Sequence, residues 1–318
     1  EEALAIARET GNRMSEGSIL GSLGVLHLHQ GRMEEALQHF QEALAIHRAV
    51  GNRPSEGSVH DNLGLLHMSH GRMEEALRHY QEALVIAREV GGRGVEGSVL
   101  ANLGNLHQEQ GRMEEALQHF QEALAIHREV GNRRDEGNVL ANLGNLHQEQ
   151  ERTDDALGLY QEALAIHREV GNRRFEGIVL GHLGNLHDDQ GRMEEALGHY
   201  QEALAIHREV GNRRDEGSVL ANLGNLHLAR GRTEEAREAL VAGEVLLRAV
   251  GARLELGQLL CHRGECERLA GDVAAAREQL AGAEALAQDL VVGVDSDLGK
   301  EIARLRAALD EPSAPPRD

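Results

Sequence analysis

The sequence of 318 residues predicts an all-α protein, a solenoid of antiparallel helix pairs. Three observations lead there. The string QEALAIHREVGNRR begins at Gln121, Gln161 and Gln201, a spacing of 40 residues. A fixed period of roughly 20–50 residues marks stacked supersecondary units, none of which can bury its apolar face alone. Within each unit the apolar residues recur at helical spacing. Finally, aromatics make up only 2% and Trp is absent, while Gly reaches 37 residues. A core without large rings, each worth about 150–250 Å² of buried area, suits helices packed closely along a line.

The elements follow in order. Residues 1–13, EEALAIARETGNR, match the second half of a trailing helix, so the chain is expected to start inside a repeat, as part of something longer. Seven helix pairs are expected over 14–290, beginning near Gly17, Gly57, Gly97, Gly137, Gly177, Gly217 and Gly257. The third shows the pattern. Its leading helix, from about Gly97 to Gln110, carries Val99, Leu100, Leu103 and Leu106 on one face. Gly111 supplies a left-handed terminator. The trailing helix, from about Met113 to Val130, carries Ala116, Leu117, Phe120, Ala123, Leu124 and Val130 as an apolar stripe, with Glu114 and Glu115 at its dipole-favoured start. Repeat seven has drifted, with Cys261, Gly264 and Val273 at or near core positions. Residues 291–310 read as a linker and a capping helix, Leu298–Leu309, which shields the last apolar face. Residues 311–318 read as a disordered tail.

The period alone fits more than one helical repeat, and the internal pattern arbitrates. Leu100-x2-Leu103-Gly104-x2-His107, then Ala116-x3-Phe120-x2-Ala123, resembles the tetratricopeptide (TPR) signature. His107 stands where the family usually has Tyr, and no Pro ends the trailing helix. That lengthened unit is similar to the repeats of Leu-Gly-Asn-enriched spindle-orientation proteins and kinesin light chains. The resemblance implies a right-handed superhelix whose leading helices line a groove for another polypeptide.

Charge and motifs narrow the function. A net charge of −20 disfavours nucleic acid, whose phosphates need clustered cations. No apolar run approaches the roughly 20 residues that span a bilayer, and no signal pattern opens the chain. Cys261 and Cys266 lie about 140° apart on one helix and cannot pair within it, which points to a reduced, cytoplasmic setting. Gly293 to Lys300 imitates a phosphate loop, but five residues separate its glycines and Glu301 follows the Lys, where the motif requires four and Ser or Thr. No Ser/His/acid or Cys/His set converges, so neither catalysis nor a cofactor is expected. His27, His67, His107, His147, His187 and His227 form a ladder at the Tyr position. Packed helices lie roughly 8–10 Å apart, too far for rungs to share a zinc bound at about 2 Å. A second set, His39, His79, His119 and His199, follows a Glu by four residues and reads as surface pairing.

The resemblance places the groove at fixed offsets along the leading helices. It assigns Val25, Leu28, Leu65 and Met68 to an apolar beginning, and Asn105, Gln108, Asn145, Gln148, Asn185 and Asn225 to an amide-rich stretch. Glu109, Glu149, Asp188 and Asp189 make its acidic portion. The amides can bond a peptide backbone regardless of its sequence, or bond neighbouring helices and water. The expected partner is a protein or extended peptide with basic residues, held by an interaction scaffold; the alternative is a sensor or autoinhibitory arm of a larger signalling ATPase or kinase. The unpartnered helix at Glu1–Thr10 could also dock on a second copy.

Overall fold

The computed structural model describes residues 2–294 and 296–310 and holds sixteen α-helices among them. The fold is all-α, with consecutive helices packed as antiparallel pairs. The expected tail, 311–318, lies outside the described residues. The chain divides into two compact units, Glu1–Ile166 and His167–Asp318. The first holds α1 (Glu2–Glu9), then α2 (Arg13–His29) with α3 (Met33–Val50), α4 (Arg53–Met68) with α5 (Met73–Glu89), α6 (Arg93–Glu109) with α7 (Met113–Val130), and α8 (Arg133–Glu149). The division falls near the end of α9 (Thr153–Glu169). The second holds α10 (Arg173–Asp189) with α11 (Met193–Val210), α12 (Arg213–Ala229) with α13 (Thr233–Val250), α14 (Arg253–Leu269) with α15 (Val273–Asp289), and α16 (Asp297–Asp310).

Leading helices start four residues before the glycines at which the sequence placed them: at Arg13, Arg53 and Arg93, not Gly17, Gly57 and Gly97. The turn is tighter than its polar composition suggested. Gly51 takes the left-handed conformation (φ 69°), and Asn52 N–H closes back on the His47 carbonyl at 2.9 Å. Asn52 then caps the next helix by accepting from the Ser55 N–H; Asn12 and Asn132 do the same for Ser15 and Asp135. Two residues therefore end one helix and begin another.

A buried glutamate locks each of these turns. Glu96 accepts from Arg88 Nε at 2.8 Å and from Arg93 Nη1 at 2.6 Å. The same pairing recurs at Glu16, Glu56, Glu136 and Glu176. Two arginines satisfy both oxygens, which permits burial of the charge. Burial alone would raise the Glu96 carboxyl, but hydrogen bonds from Arg88 and Arg93, with their charges, hold it below the usual glutamate range.

Close approach of the paired helices explains the Leu-Gly-Asn triplet. A Cβ on Gly104 would lie 2.6 Å from the Phe120 ring, and one on Gly144 would lie 2.5 Å from the Tyr160 ring. Rings and glycines interlock in this way at Gly24, Gly64, Gly104, Gly144 and Gly184, while Leu240 and Leu305 take the ring's place over Gly224 and Gly264. At the opposite end of the pair the His127 ring fills the space over Gly97, and His207 that over Gly177.

The second histidine set is more than surface pairing. His39, His119 and His199 stack on His27, His107 and His187 with ring centroids 5.1–5.2 Å apart. In α4, His60 occupies the register of Leu20, Leu100 and Leu140 and is buried. Its Nε2 lies 3.0 Å from Arg48 Nη2 and its Nδ1 lies 3.0 Å from His79 Nδ1.

Candidate binding face

In each unit the trailing helix packs on the next leading helix, and successive leading helices also touch: α2 with α4, α4 with α6 and α6 with α8 in the first, α10 with α12 and α12 with α14 in the second. That approach puts leading helices on the inner side of each stack. Side-chain bridges cross the same face. Asn102 Nδ2 donates to Asp61 at 2.8 Å, Gln108 Nε2 donates to Glu149 at 2.6 Å, and Asn222 Nδ2 donates to Asn185 at 2.8 Å.

The apolar positions are partly absorbed by the core. Val25 and Leu28 are half-buried against the cluster around Leu20, Phe40 and Val59. Leu65 and Met68 pack similarly on the cluster around Tyr80 and Val99. Each remains only partly buried.

The amides separate into two kinds. The Tyr160 hydroxyl lies 2.7 Å from Asn145 Oδ1 and 2.9 Å from Gln148 Oε1. The Tyr200 hydroxyl donates to Asn185 Oδ1 at 2.8 Å. Those carbonyls are occupied, leaving the amide N–H groups as donors. Position 120 is Phe and position 240 is Leu, so the corresponding amides of Asn105 and Asn225 meet no hydroxyl. Neither makes a side-chain hydrogen bond among the described residues.

The acidic positions are unevenly neutralised. Glu149 is engaged by Gln108. Glu109 reaches solvent at one edge, yet burial by its neighbours raises its carboxyl. Burial, then the Asp189 charge, raises Asp188. A further carboxylate lies at a groove offset in repeat two: Asp61, which stands where Ala101 and Ala141 stand in later repeats. Burial raises it, against the hydrogen bond from Asn102. Among the described residues no arginine pairs with Asp61, Glu109 or Asp188, although the turns are laced with Arg–Glu pairs. Comparing equivalent positions across the repeats exposes His60, where Leu20, Leu100 and Leu140 stand in the others.

The two cysteines are free and buried. Among the described residues no His, Cys, Asp and Glu group is arranged to hold a metal ion. No helix there is long and apolar enough to cross a membrane.

The tetratricopeptide-repeat family model matches residues 1–49, 15–89, 95–169 and 175–241, well over half the chain. The chain belongs to the tetratricopeptide-repeat family. Among solved structures this TPR chain resembles the Rap conjugation gene regulator of plasmid pLS20, in complex with the Phr* peptide. Identity there is 15%, coverage is 91% of this chain and 80% of that one, and the TM-score is 0.68. It also resembles a signal-transduction ATPase with numerous domains and a TPR sensor from Pyrococcus horikoshii: 16% identity, 96% of this chain, 50% of that one, TM-score 0.64. A third is a Podosopora anserina protein named for kinesin light chain, with nearly identical TPR-like repeats: 15% identity, 63% of this chain, 98% of that one, TM-score 0.50. No curated protein matches the TPR sequence.

Proposed function

We propose that this TPR protein is a non-enzymatic interaction scaffold that binds an extended, basic polypeptide segment on its inner faces. One observation carries the reading: Asp61, Glu109 and Asp188 stand on leading helices, Asp61 and Asp188 partly buried and Glu109 exposed, and no arginine pairs with them among the described residues. A carboxylate that burial disfavours gains most from a cationic ligand, because the same loss of water strengthens the new ion pair. The amides complement it. Asn105 and Asn225 offer a donor and an acceptor to a passing peptide group, while Asn145 and Asn185 offer donors. The Rap relative bound to the Phr* peptide supports this reading by fold likeness.

The test is a titration of extended peptides of one length and graded charge, followed by fluorescence anisotropy. Basic peptides bind more tightly than acidic ones, and salt weakens them by screening. Tighter binding of acidic peptides removes the reading. A second reading, a sensor arm of a larger signalling ATPase, draws on the likeness to the TPR-bearing ATPase, of which this chain covers half. A nucleotide-binding domain in the same open reading frame would support it.

A further inference from the structure

The inner-face register runs on past the last amide. In α14, Cys261, His262 and Glu265 stand where α12 has Ala221, Asn222 and Asn225. Helix α16 packs on α14 and α15, in the place of a following leading helix. Its Leu298 and Leu305 press against Gly257 and Gly264. A cavity of about 320 Å³ remains among α12, α14 and α16.

Leu305 and Ala308 form the apolar side of this cavity; Asn225, His262, Glu301 and Arg304 supply polar groups. Two buried atoms of the lining residues have no hydrogen-bond partner: Glu301 Oε2 and His262 Nδ1. Glu301 Oε1 lies 3.7 Å from His262 Nε2, beyond hydrogen-bond reach. Glu265 is already held by Arg268, so Glu301 is the carboxylate with capacity to spare. Arg304 forms no ion pair among the described residues. Burial pushes the Cys261 thiol up to about 12, with Glu301 and Glu284 adding to it, the mark of a poorly solvated and negative wall.

An orphaned carboxylate oxygen is costly unless a ligand satisfies it. A carboxylate, a free amide and an unpaired guanidinium around an apolar side match an ammonium beside a carbonyl oxygen and an aliphatic side chain. We propose that the cavity under α16 binds a terminal α-aminoacyl group, with its ammonium on Glu301 and Asn225, its carbonyl oxygen on Arg304 and its side chain against Leu305 and Ala308. The source is either the first residue of a peptide lying on the inner face of the second unit or a free amino acid. Only the peptide source rests on the scaffold reading above.

The experiment titrates leucinamide, N-acetyl-leucinamide, leucine and the amide of Leu-Ala-Ala into the protein, observed through the His262 imidazole and Leu305 methyl resonances. Leucinamide is expected to shift both signals saturably, and the acetylated probe to leave them in place. Glu301→Gln weakens leucinamide by about tenfold or more, the worth of one charge-assisted hydrogen bond. Should that variant melt early, Asn225→Ala replaces it, with a loss of about threefold or more expected for one neutral bond. Tighter binding of the tripeptide amide than of leucine assigns the peptide source, and the reverse assigns the amino acid. Absence of a saturable shift, equal binding of the acetylated probe, or a folded variant that binds normally overturns the proposal. The charge-graded titration is unaffected by any of these results, so the two readings can fail separately.

Discussion

At the scale of single residues, departures from the repeat are the informative positions. Glu151 adopts φ 59° where Gly111 and Gly191 stand in neighbouring repeats. A side chain in the left-handed region costs about 1–2 kcal/mol. Glu151→Gly is therefore expected to stabilise the protein by about 1 kcal/mol in denaturant melts, and a loss of stability would contradict the strain assignment. His60 is the second case. It brings a buried imidazole to Arg48 and His79 where other repeats bury Leu. His60→Leu restores the register residue and removes a costly polar group, so a gain of about 1–2 kcal/mol is expected. Neither position stood out to helical periodicity, because Glu and His fit a helix pattern as well as their counterparts do.

At the scale of the element, the helix pair depends on close contact at one end and ion pairing at the other. Gly104→Ala drives a methyl into the Phe120 ring, a clash at 2.6 Å. Overpacking of that kind costs about 1–3 kcal/mol, readable as a lower melting temperature. Glu96→Gln removes the carboxylate that Arg88 and Arg93 share, while Arg93 keeps its pairing with Glu129. Those arginines are about half exposed, so water takes over part of the lost interaction, and about 1–2 kcal/mol is expected. The bounds of the trailing helix Met113–Val130 were legible from its apolar stripe and terminal glycine, although Val130, read as part of that stripe, is exposed. The start of the leading helix was not. Asn-Arg-x-x-Glu reads as a polar loop until one knows that Asn caps, Arg pairs and Glu is buried.

At the scale of the whole molecule, histidine sets the pH response. Burial lowers His47, His127 and His207, and takes His79 to about 4. The unfolded chain therefore binds more protons than the folded one below about pH 6.5, and stability falls with pH from there. Glu56, Glu96 and Glu136 are lowered too, despite the burial that opposes it; their contribution is complete above about pH 4.3 and is lost as pH falls further. Melting temperature is thus expected to drop between pH 7 and pH 5, then drop again in the carboxylate range. A flat profile from pH 7 to pH 5 would contradict the burial of these imidazoles. Repeat architecture was legible from the sequence because a period of 40 residues leaves few alternatives. The register of the proposed binding face follows from the repeat, but the pairing of its carboxylates does not. Whether a carboxylate accepts from an amide of a neighbouring repeat, as Glu149 does from Gln108 and Asp61 from Asn102, or meets none among the described residues, as Glu109 does, depends on contacts between repeats.

The claim that ligand lies on leading helices is tested most directly by charge removal at two places in one unit. The measurement compares affinity for one extended basic peptide in Asp61→Asn/Glu109→Gln and in Glu74→Gln/Glu122→Gln, which removes equal charge from exposed positions on trailing helices. The first pair is expected to weaken binding by about tenfold or more, the loss of a desolvated ion pair, and the second by less than about twofold. Equal losses from both pairs, or a larger loss from the second, would contradict the account.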